Sequence, residues 1–376
     1  MALLADSLLD DTFDTLPPRP VHQLSFRSIA RRYTVAGTAV RELSAPITYR
    51  VTGNRFALQL SGTPVAFDAP LGTLSGATPI RGRLSWRMGR GDTLQLIGQL
   101  ASTPAGLSTS ETAALGSVAI STVDLESIAI GLPASIAVRG VLTQPIGPVA
   151  VSLTASGEVQ PRPATSAPVF WRGRTATGGL SVSGFTGDAR LMVGAEWSHS
   201  SADSLDGRNL FPGGGLVTLQ ASIDGPLGDL LGGRYGTLAA FWLRPYQNAR
   251  ADQPNRLIPQ GSFWGVQGDL SFDRGRITLA PTASLLRESS RVDIGTALVP
   301  TLLTSTGWTL SGGTALDVRV GSMLTLSPEV GVAVGSVGSS SSTLVRTRRG
   351  RSLVIPRAVD DPISGGWVGL SVRMRW

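Results

Sequence analysis

The chain has 376 residues, with 33 Arg, no Lys, 26 acidic residues, 2 His and no Cys. The absence of Cys excludes disulfide scaffolds, thiol catalysis and Cys-based zinc sites, and two His argue against a His-rich metal centre. No run of about 18 uncharged apolar residues occurs, which excludes an α-helical membrane span, and an apolar fraction of 41% spread along the chain excludes wholesale disorder. The net charge of +7 suits nucleic acid, a phosphate-rich membrane surface or a channel with a positive lining. Arg stands in for Lys throughout, so the choice of Arg reads as a compositional habit and no single Arg carries weight.

Residues 1–21 are read as an N-terminal extended segment. The opening MALLADSLLDDTFDTLPPRP does not have the form of a secretory signal. Its apolar part is short, Asp6 interrupts it and no positive region precedes it. The Pro17-Pro18-Arg19-Pro20 run predicts an extended, polyproline-like linker.

From residue 22 onward the signal is period 2. In 39–52, Leu43, Ile47, Tyr49 and Val51 oppose Glu42, Ser44, Thr48 and Arg50. In 79–88, Ile80, Gly82, Leu84, Trp86 and Met88 alternate with Arg81, Arg83, Ser85 and Arg87, so one face is apolar and the other carries three Arg. The same pattern recurs in 148–158 and 306–320, and in 324–337, where Leu324, Leu326, Val330, Val332 and Val334 oppose Thr325, Ser327 and Glu329. The remaining predicted strands are 22–33, 54–67, 92–101, 134–143, 175–185, 188–200, 215–223, 234–245, 261–272, 276–287 and 365–376. Together they make about sixteen, with fourteen as the alternative count. A short helix is expected after Ser108, where Ser108-Thr109-Ser110-Glu111 has capping-box spacing.

The connections alternate. Tight ones fall near Gly53, Gly89 to Gly91, Gln144 to Gly147, Thr186-Gly187, Asp273 to Gly275 and Gly321 to Met323, with a longer member at Asp224 to Gly233. The others are read as mostly long: 68–78, 102–133, 159–174, 201–214, 246–260, 288–305 and 338–364, with only 34–38 short. Successive strands then run up and down, turns at one rim and loops at the other.

This pattern resembles a bacterial outer-membrane β-barrel of roughly porin size, over residues 22–376; no subfamily matches. Besides the alternation, the last strand ends Val372-Arg373-Met374-Arg375-Trp376, closing on an aromatic as the assembly signal of that class does. Trp197, Trp242, Trp264 and Trp308 fall near loop-side strand ends, as does Trp367, while Trp86 and Trp376 fall near turn-side ends, which suits two aromatic belts at headgroup level. Parity puts Trp367 on the polar face. The resemblance implies an all-β, closed, antiparallel up-and-down barrel with periplasmic turns and extracellular loops. It implies residence in the outer membrane, contact with lipid bilayer and lipopolysaccharide, and recognition of the C-terminal strand by the outer-membrane assembly machinery. Oligomeric state is left open. A soluble sandwich or solenoid is the alternative, since its core strands also alternate.

Candidate chemistry is sparse. His199 lies between Ser198 and Ser200 with Asp203 and Asp206 near, and His22 is the only other imidazole. A hydrolase at the rim would use His199; a polar residue at headgroup level is the plainer reading. Arg90-Gly91-Asp92 reads as a turn rather than an adhesion tripeptide. Asp360-Asp361 is weak support for a cation site. Arg346, Arg348, Arg349 and Arg351, with Arg357, form a basic cluster in the expected extracellular loop 338–364, which either bridges lipopolysaccharide phosphates or is a solvated or inward-folded loop. No nucleic-acid platform accompanies it, and no cofactor is implied.

Parity turns Arg50, Arg55, Arg81, Arg83, Arg87, Arg319, Arg373 and Arg375 to the inside, along with Arg139 and Arg190. Glu42, Glu158, Asp188, Glu196, Asp269, Asp317 and Glu329 are turned inward too. An Arg on the lipid face costs about 2–4 kcal/mol at mid-bilayer, which favours this placement. The expectation is a passive, non-enzymatic pore for small, anion-leaning solutes, narrowed by loops 102–133 and 338–364. The rivals are a non-conducting structural or surface-binding barrel and, behind it, an outer-membrane hydrolase.

Overall fold

The computed structural model describes residues 20–35, 38–69, 72–88, 92–100, 134–159, 170–171, 174–201, 203–205, 208–211, 214–226, 235–247, 260–293, 301–346 and 352–376. All of its regular structure is β. In chain order the strands are β1 Val21–Val35, β2 Thr38–Ser44, β3 Ile47–Thr52, β4 Phe56–Gly62, β5 Pro64–Ala69, β6 Gly72–Ala77, β7 Arg81–Arg87 and β8 Thr93–Gln99. There follow β9 Ser135–Ile146, β10 Val149–Val159, β11 Phe170–Trp171, β12 Thr175–Thr186, β13 Ala189–Ser200, β14 Asp203–Leu205, β15 Arg208–Phe211 and β16 Gly214–Gly225. The last are β17 Tyr235–Gln247, β18 Gln260–Arg274, β19 Ile277–Asp293, β20 Thr301–Val320, β21 Leu324–Arg346 and β22 Ser352–Arg375.

Nineteen of these form one antiparallel sheet, and β11, β14 and β15 form a separate three-stranded one. In the large sheet each strand from β7 to β22 pairs with the next one in that sheet, while β3 pairs with β4, β5 with β6, β2 with β5 and β4 with β7. At the ends, β22 pairs with β1 from Gln23↔Arg375 to Val35↔Ile363. β1 in turn pairs with both β2 and β3. The turns are tight because glycine supplies the left-handed conformation they need: Gly147, Gly187, Gly275 and Gly321 all have φ between 60° and 72°.

Two expected strands, and a third in a stretch expected as loop, are interrupted at one level. The 39–52 run breaks at Ala45-Pro46, the 54–67 run at Thr63, and a strand ahead of Arg81 breaks at Thr78-Pro79-Ile80. Pro46 and Pro79 have no N–H to give the ladder. The polar groups there are satisfied locally, with Thr78 N donating to the Thr63 carbonyl and Thr63 N donating to Thr78 Oγ1. Ser61 pairs with Arg81 but Pro64 with Ala77, so the β6–β7 side carries an extra residue and the outward parity changes across Pro79.

Four loop expectations are corrected. The 68–78 loop is largely strand, since β5 and β6 pair down to Ala69↔Gly72. Much of 288–305 is strand. The 338–364 loop is a hairpin, with β21 and β22 paired as far as Arg346↔Ser352. Within 201–214 lie β14 and β15. The proposed constriction at 338–364 is therefore extended strand over 338–346 and 352–364. The other, 102–133, lies outside the described residues, as does the helix expected after Ser108.

The two faces of the sheet differ in kind. Leu153, Val193 and Val332 are 56%, 62% and 63% exposed, and most large apolar side chains are on the surface with them. The few buried ones, Ile29, Tyr33, Val40, Val65, Phe67, Leu286 and Ile363, lie on the opposite, polar face. The usual order of a soluble protein is inverted. Among the described residues no helix is long and apolar enough to cross a membrane.

Candidate functional site

Two cross-strand rows on the polar face gather arginines from strands far apart in sequence. In the first, pairing leads from Arg319 through Thr325, Arg373, Ser25, Thr48 and Ser61 to Arg81 and Gln99. In the second it leads from Arg375 through Gln23, Arg50 and Gln59 to Arg83. Arg81 Nη2 donates to Gln99 Oε1 at 3.3 Å. Six of the arginines expected to share a face therefore do, brought together by the β1–β22 pairing. Arg87 follows Arg83 on the same face of β7. Arg55 does not join them: it lies in the β3–β4 turn and is exposed, because the strand starts at Phe56 rather than at residue 54.

A cavity of about 520 Å³ opens on this face. Arg83, Arg87, Arg139 and Arg190 line it, together with Glu196, Gln220 and several Ser and Thr. Four guanidiniums thus converge with one carboxylate in the lining. Two other acids of this face are held by arginines. Arg27 grips Glu329 through Nε and Nη2, each 2.6 Å from a carboxylate oxygen. Arg31 Nη1 lies 2.5 Å from Glu42 Oε1, with both side chains largely buried. Glu329 is on the expected face but committed to Arg27, a partner sequence reasoning did not find. Asp317 shares the face of Arg319 and its backbone pairs with Thr278.

The loop-side part of the same face is packed. Ile29, Tyr33, Val40 and Phe67 are each no more than 3% exposed. The Trp367 indole lies over Gly331 and Gly313, where added Cβ atoms would overlap it. The polar face is thus basic and hollow along β7–β16 and filled along β20–β22, β1, β2 and β5.

The apolar face carries several of the tryptophans expected in the two belts. Trp86, Trp197, Trp308 and Trp376 are half-exposed on it, and Trp264 lines an apolar groove there with Val266 and Leu219. The backbone of Trp242 pairs with Trp264. His22 stacks on Trp376 with ring centroids 5.7 Å apart, and its Nδ1 lies 2.8 Å from the Tyr49 hydroxyl. His199 stacks on Trp197 at 5.9 Å and shares its apolar face.

Other candidates resolve differently. Asp360 and Asp361 lie in strand β22, not in a loop, so they point to opposite faces and cannot converge on one cation. Among the described residues no cluster of His, Asp and Glu could hold a metal. Asp92 follows the β7–β8 turn, and its Oδ1 accepts from Thr143 N at 3.0 Å. Arg90, Gly91 and Asp206 lie outside the described residues. So do Arg348, Arg349 and Arg351, whereas Arg346 ends β21 and Arg357 lies in β22 instead of a loop.

No protein-family model matches the sequence, and a search of curated proteins returns no match. Solved structures similar to the chain are bacterial outer-membrane proteins. OmpT of Vibrio cholerae, in a loop L8 deletion form, is 11% identical with a TM-score of 0.41, covering 95% of this chain and 99% of that one. OccK2 (OpdF) of Pseudomonas aeruginosa, in complex with glucuronate, is 11% identical with a TM-score of 0.37, covering 96% and 100%. OccAB3 of Acinetobacter baumannii is 8% identical with a TM-score of 0.37, covering 95% and 99%. Scores this low leave the function to be argued from the chain's own faces and pairings.

Proposed function

We propose that the chain is a closed, sixteen-stranded β-barrel of the bacterial outer membrane that passes small anionic solutes by diffusion. The sixteen passes count β2 with β3, β4 with β5 and β6 with β7 as single interrupted strands. Support for closure is the β1–β22 pairing, which leaves no edge to satisfy. Support for the membrane is the apolar outer face with its Trp belts.

The observation that carries the channel reading is the basic wall. Arg83, Arg87, Arg139 and Arg190 line a hollow whose lining holds Glu196 as its one carboxylate. A low-dielectric wall around such a cluster focuses its field, concentrating anions and repelling cations. Ser and Thr hydroxyls beside the guanidiniums supply exchangeable hydrogen bonds, so an anion sheds part of its water without being trapped. Sixteen strands enclose more room than side chains fill.

An enzymatic role is disfavoured in this reading. His199 is stacked on the lipid-facing Trp197. A second reading, a non-conducting structural or surface-binding barrel, draws on one observation: the packed cluster of Ile29, Tyr33, Val40 and Phe67 inside the wall.

Planar-bilayer recording of the refolded protein across a KCl gradient tests both. Discrete steps with an anion-selective reversal potential support the pore, and Arg83→Glu with Arg87→Glu should move that potential toward cations. A cation-selective wild type refutes the basic-wall argument. A folded barrel without steps favours the filled lumen.

A further inference from the structure

The apolar face carries charge in one place where its register makes little sense for an inert wall. Arg32 on β1 sits directly opposite Arg41 on β2. Both are exposed, and neither forms an ion pair among the described residues. Like charges opposite one another in a sheet repel. Asp68, opposite Arg41 on β5, compensates one of them. On its other side Arg32 faces Gly366 of β22, which has no side chain to fill the space.

One row nearer the turns, the same strands present a different surface. Pairing leads from Ser75 through Ala66, Leu43 and Ala30 to Val368 and Val330. Small residues at Ala66 and Ala30 make this row concave, and the two rows together line a cavity of about 780 Å³. That size lies within the roughly 300–1,000 Å³ of ligand pockets. Arg41 precedes the turn at Gly53 by about the same run of residues as Trp264 precedes Gly275 and Trp308 precedes Gly321. The two guanidiniums therefore stand at the level of the loop-side Trp belt, where headgroups lie, and the apolar row beneath them stands at the depth of acyl chains.

We propose that this groove holds a phosphate-bearing lipid of the loop-side leaflet. Its phosphate bridges Arg32 and Arg41, and an acyl chain lies along Ala66, Leu43, Ala30 and Val368. The phosphate converts the repulsive Arg–Arg pair into a forked, charge-assisted clamp. The hydrocarbon fills a concavity that neighbouring bulk lipid packs poorly. The site is on the opposite face from the basic lumen wall. It rests on the reading of the apolar face as membrane-facing, not on conduction.

The test uses the full chain folded in dodecylmaltoside micelles doped with phosphatidate or with phosphatidylcholine, with bound lipid counted by native mass spectrometry. One phosphatidate should be retained, at least tenfold in preference to phosphatidylcholine. Arg32→Gln with Arg41→Gln should lower that retention at least tenfold. Arg287→Gln, which removes an exposed apolar-face Arg between Trp264 and Trp308, should leave it unchanged. Ala66→Phe keeps both charges and fills the groove, and should also expel the lipid. Equal retention of the two lipids, or an unaffected double variant, overturns the site. Displacement by millimolar inorganic phosphate as readily as by lipid overturns it too, since the groove would then contribute nothing. A chain that enters neither micelles nor liposomes refutes the membrane reading itself, an outcome distinct from a folded barrel that retains no phosphatidate.

Discussion

The indole of Trp367 on β22 occupies the space that a side chain at Gly331 on β21 would need. The two residues are register partners on the polar face, and Gly313, opposite Gly331 on β20, completes the bed. Glycine here is required by close approach rather than by backbone conformation. An aromatic laid across two adjacent glycines restores the packing those strands give up.

Gly331→Ala should therefore destabilise the fold by about 1–3 kcal/mol, the range for overpacking. Guanidinium unfolding from liposomes, followed by Trp fluorescence and heat-modifiable migration, measures it. Trp367→Ala should relieve the clash, so the double variant should cost less than the two singles added. Strict additivity would mean that the indole and Gly331 do not share the space.

Arg27 and Glu329 join β1 to β21 over the top of β22, passing Gly369. A Cβ on Gly369 would run into the Glu329 carboxylate. The pair is bidentate but Arg27 is about one-third exposed. Glu329→Gln should thus cost about 1–2 kcal/mol rather than the full penalty of a dry buried pair. It also frees a guanidinium beside the basic rows. In bilayers the reversal potential should shift further toward anions, and an unchanged potential would place Arg27 outside the conducting path.

The repeating apolar and polar faces were legible in the sequence because side chains alternate with period 2 whatever the neighbours do. Arg50, Arg81, Arg83 and Arg373 could be assigned to one face on that ground alone. Their assembly into rows could not, because register is a property of pairs of strands. The loop-side ends of β21 and β22 were missed for a related reason. Ser339 to Ser342 carries no alternation of its own, yet its backbone pairs with Ala358, Val359 and their neighbours. Strand β6, with Gly72, Thr73, Ser75 and Gly76, is extended because β5 templates it. The Arg27–Glu329 pair spans three strands and leaves no local trace. Pro79 opens the expected strand 79–88, and nothing local to it shows that strand precedes it or that the outward parity changes across it.

The seam between the first and last strands ends in two backbone hydrogen bonds, His22 N to the Trp376 carbonyl at 2.9 Å and Trp376 N to the His22 carbonyl at 3.0 Å. Above them the imidazole is held between the Trp376 ring and the Tyr49 hydroxyl. Tyr49→Phe removes one hydrogen bond and should cost about 1 kcal/mol. Deleting Trp376 removes both backbone bonds and the stack, and should slow folding into liposomes more than it lowers final stability. Folding kinetics equal to wild type would show that the seam closes without its last residue.

The sharpest test of the membrane assignment uses neighbouring residues of β10. Leu153 is 56% exposed on the apolar face. Ser152, next to it, points to the polar face and lines the basic cavity. Both lie well inside the strand, away from either rim. Leu153→Arg places a guanidinium in hydrocarbon and should cost about 2–4 kcal/mol. Ser152→Arg adds one more charge to a solvated wall and should cost little, while raising anion selectivity. In a soluble β-protein whose exposed face met water, the order would reverse: Leu153→Arg would be harmless and Ser152→Arg would disturb the packed side. Unfolding free energies of the two variants in liposomes, compared with wild type, decide between the two solvents for the face that Leu153 occupies.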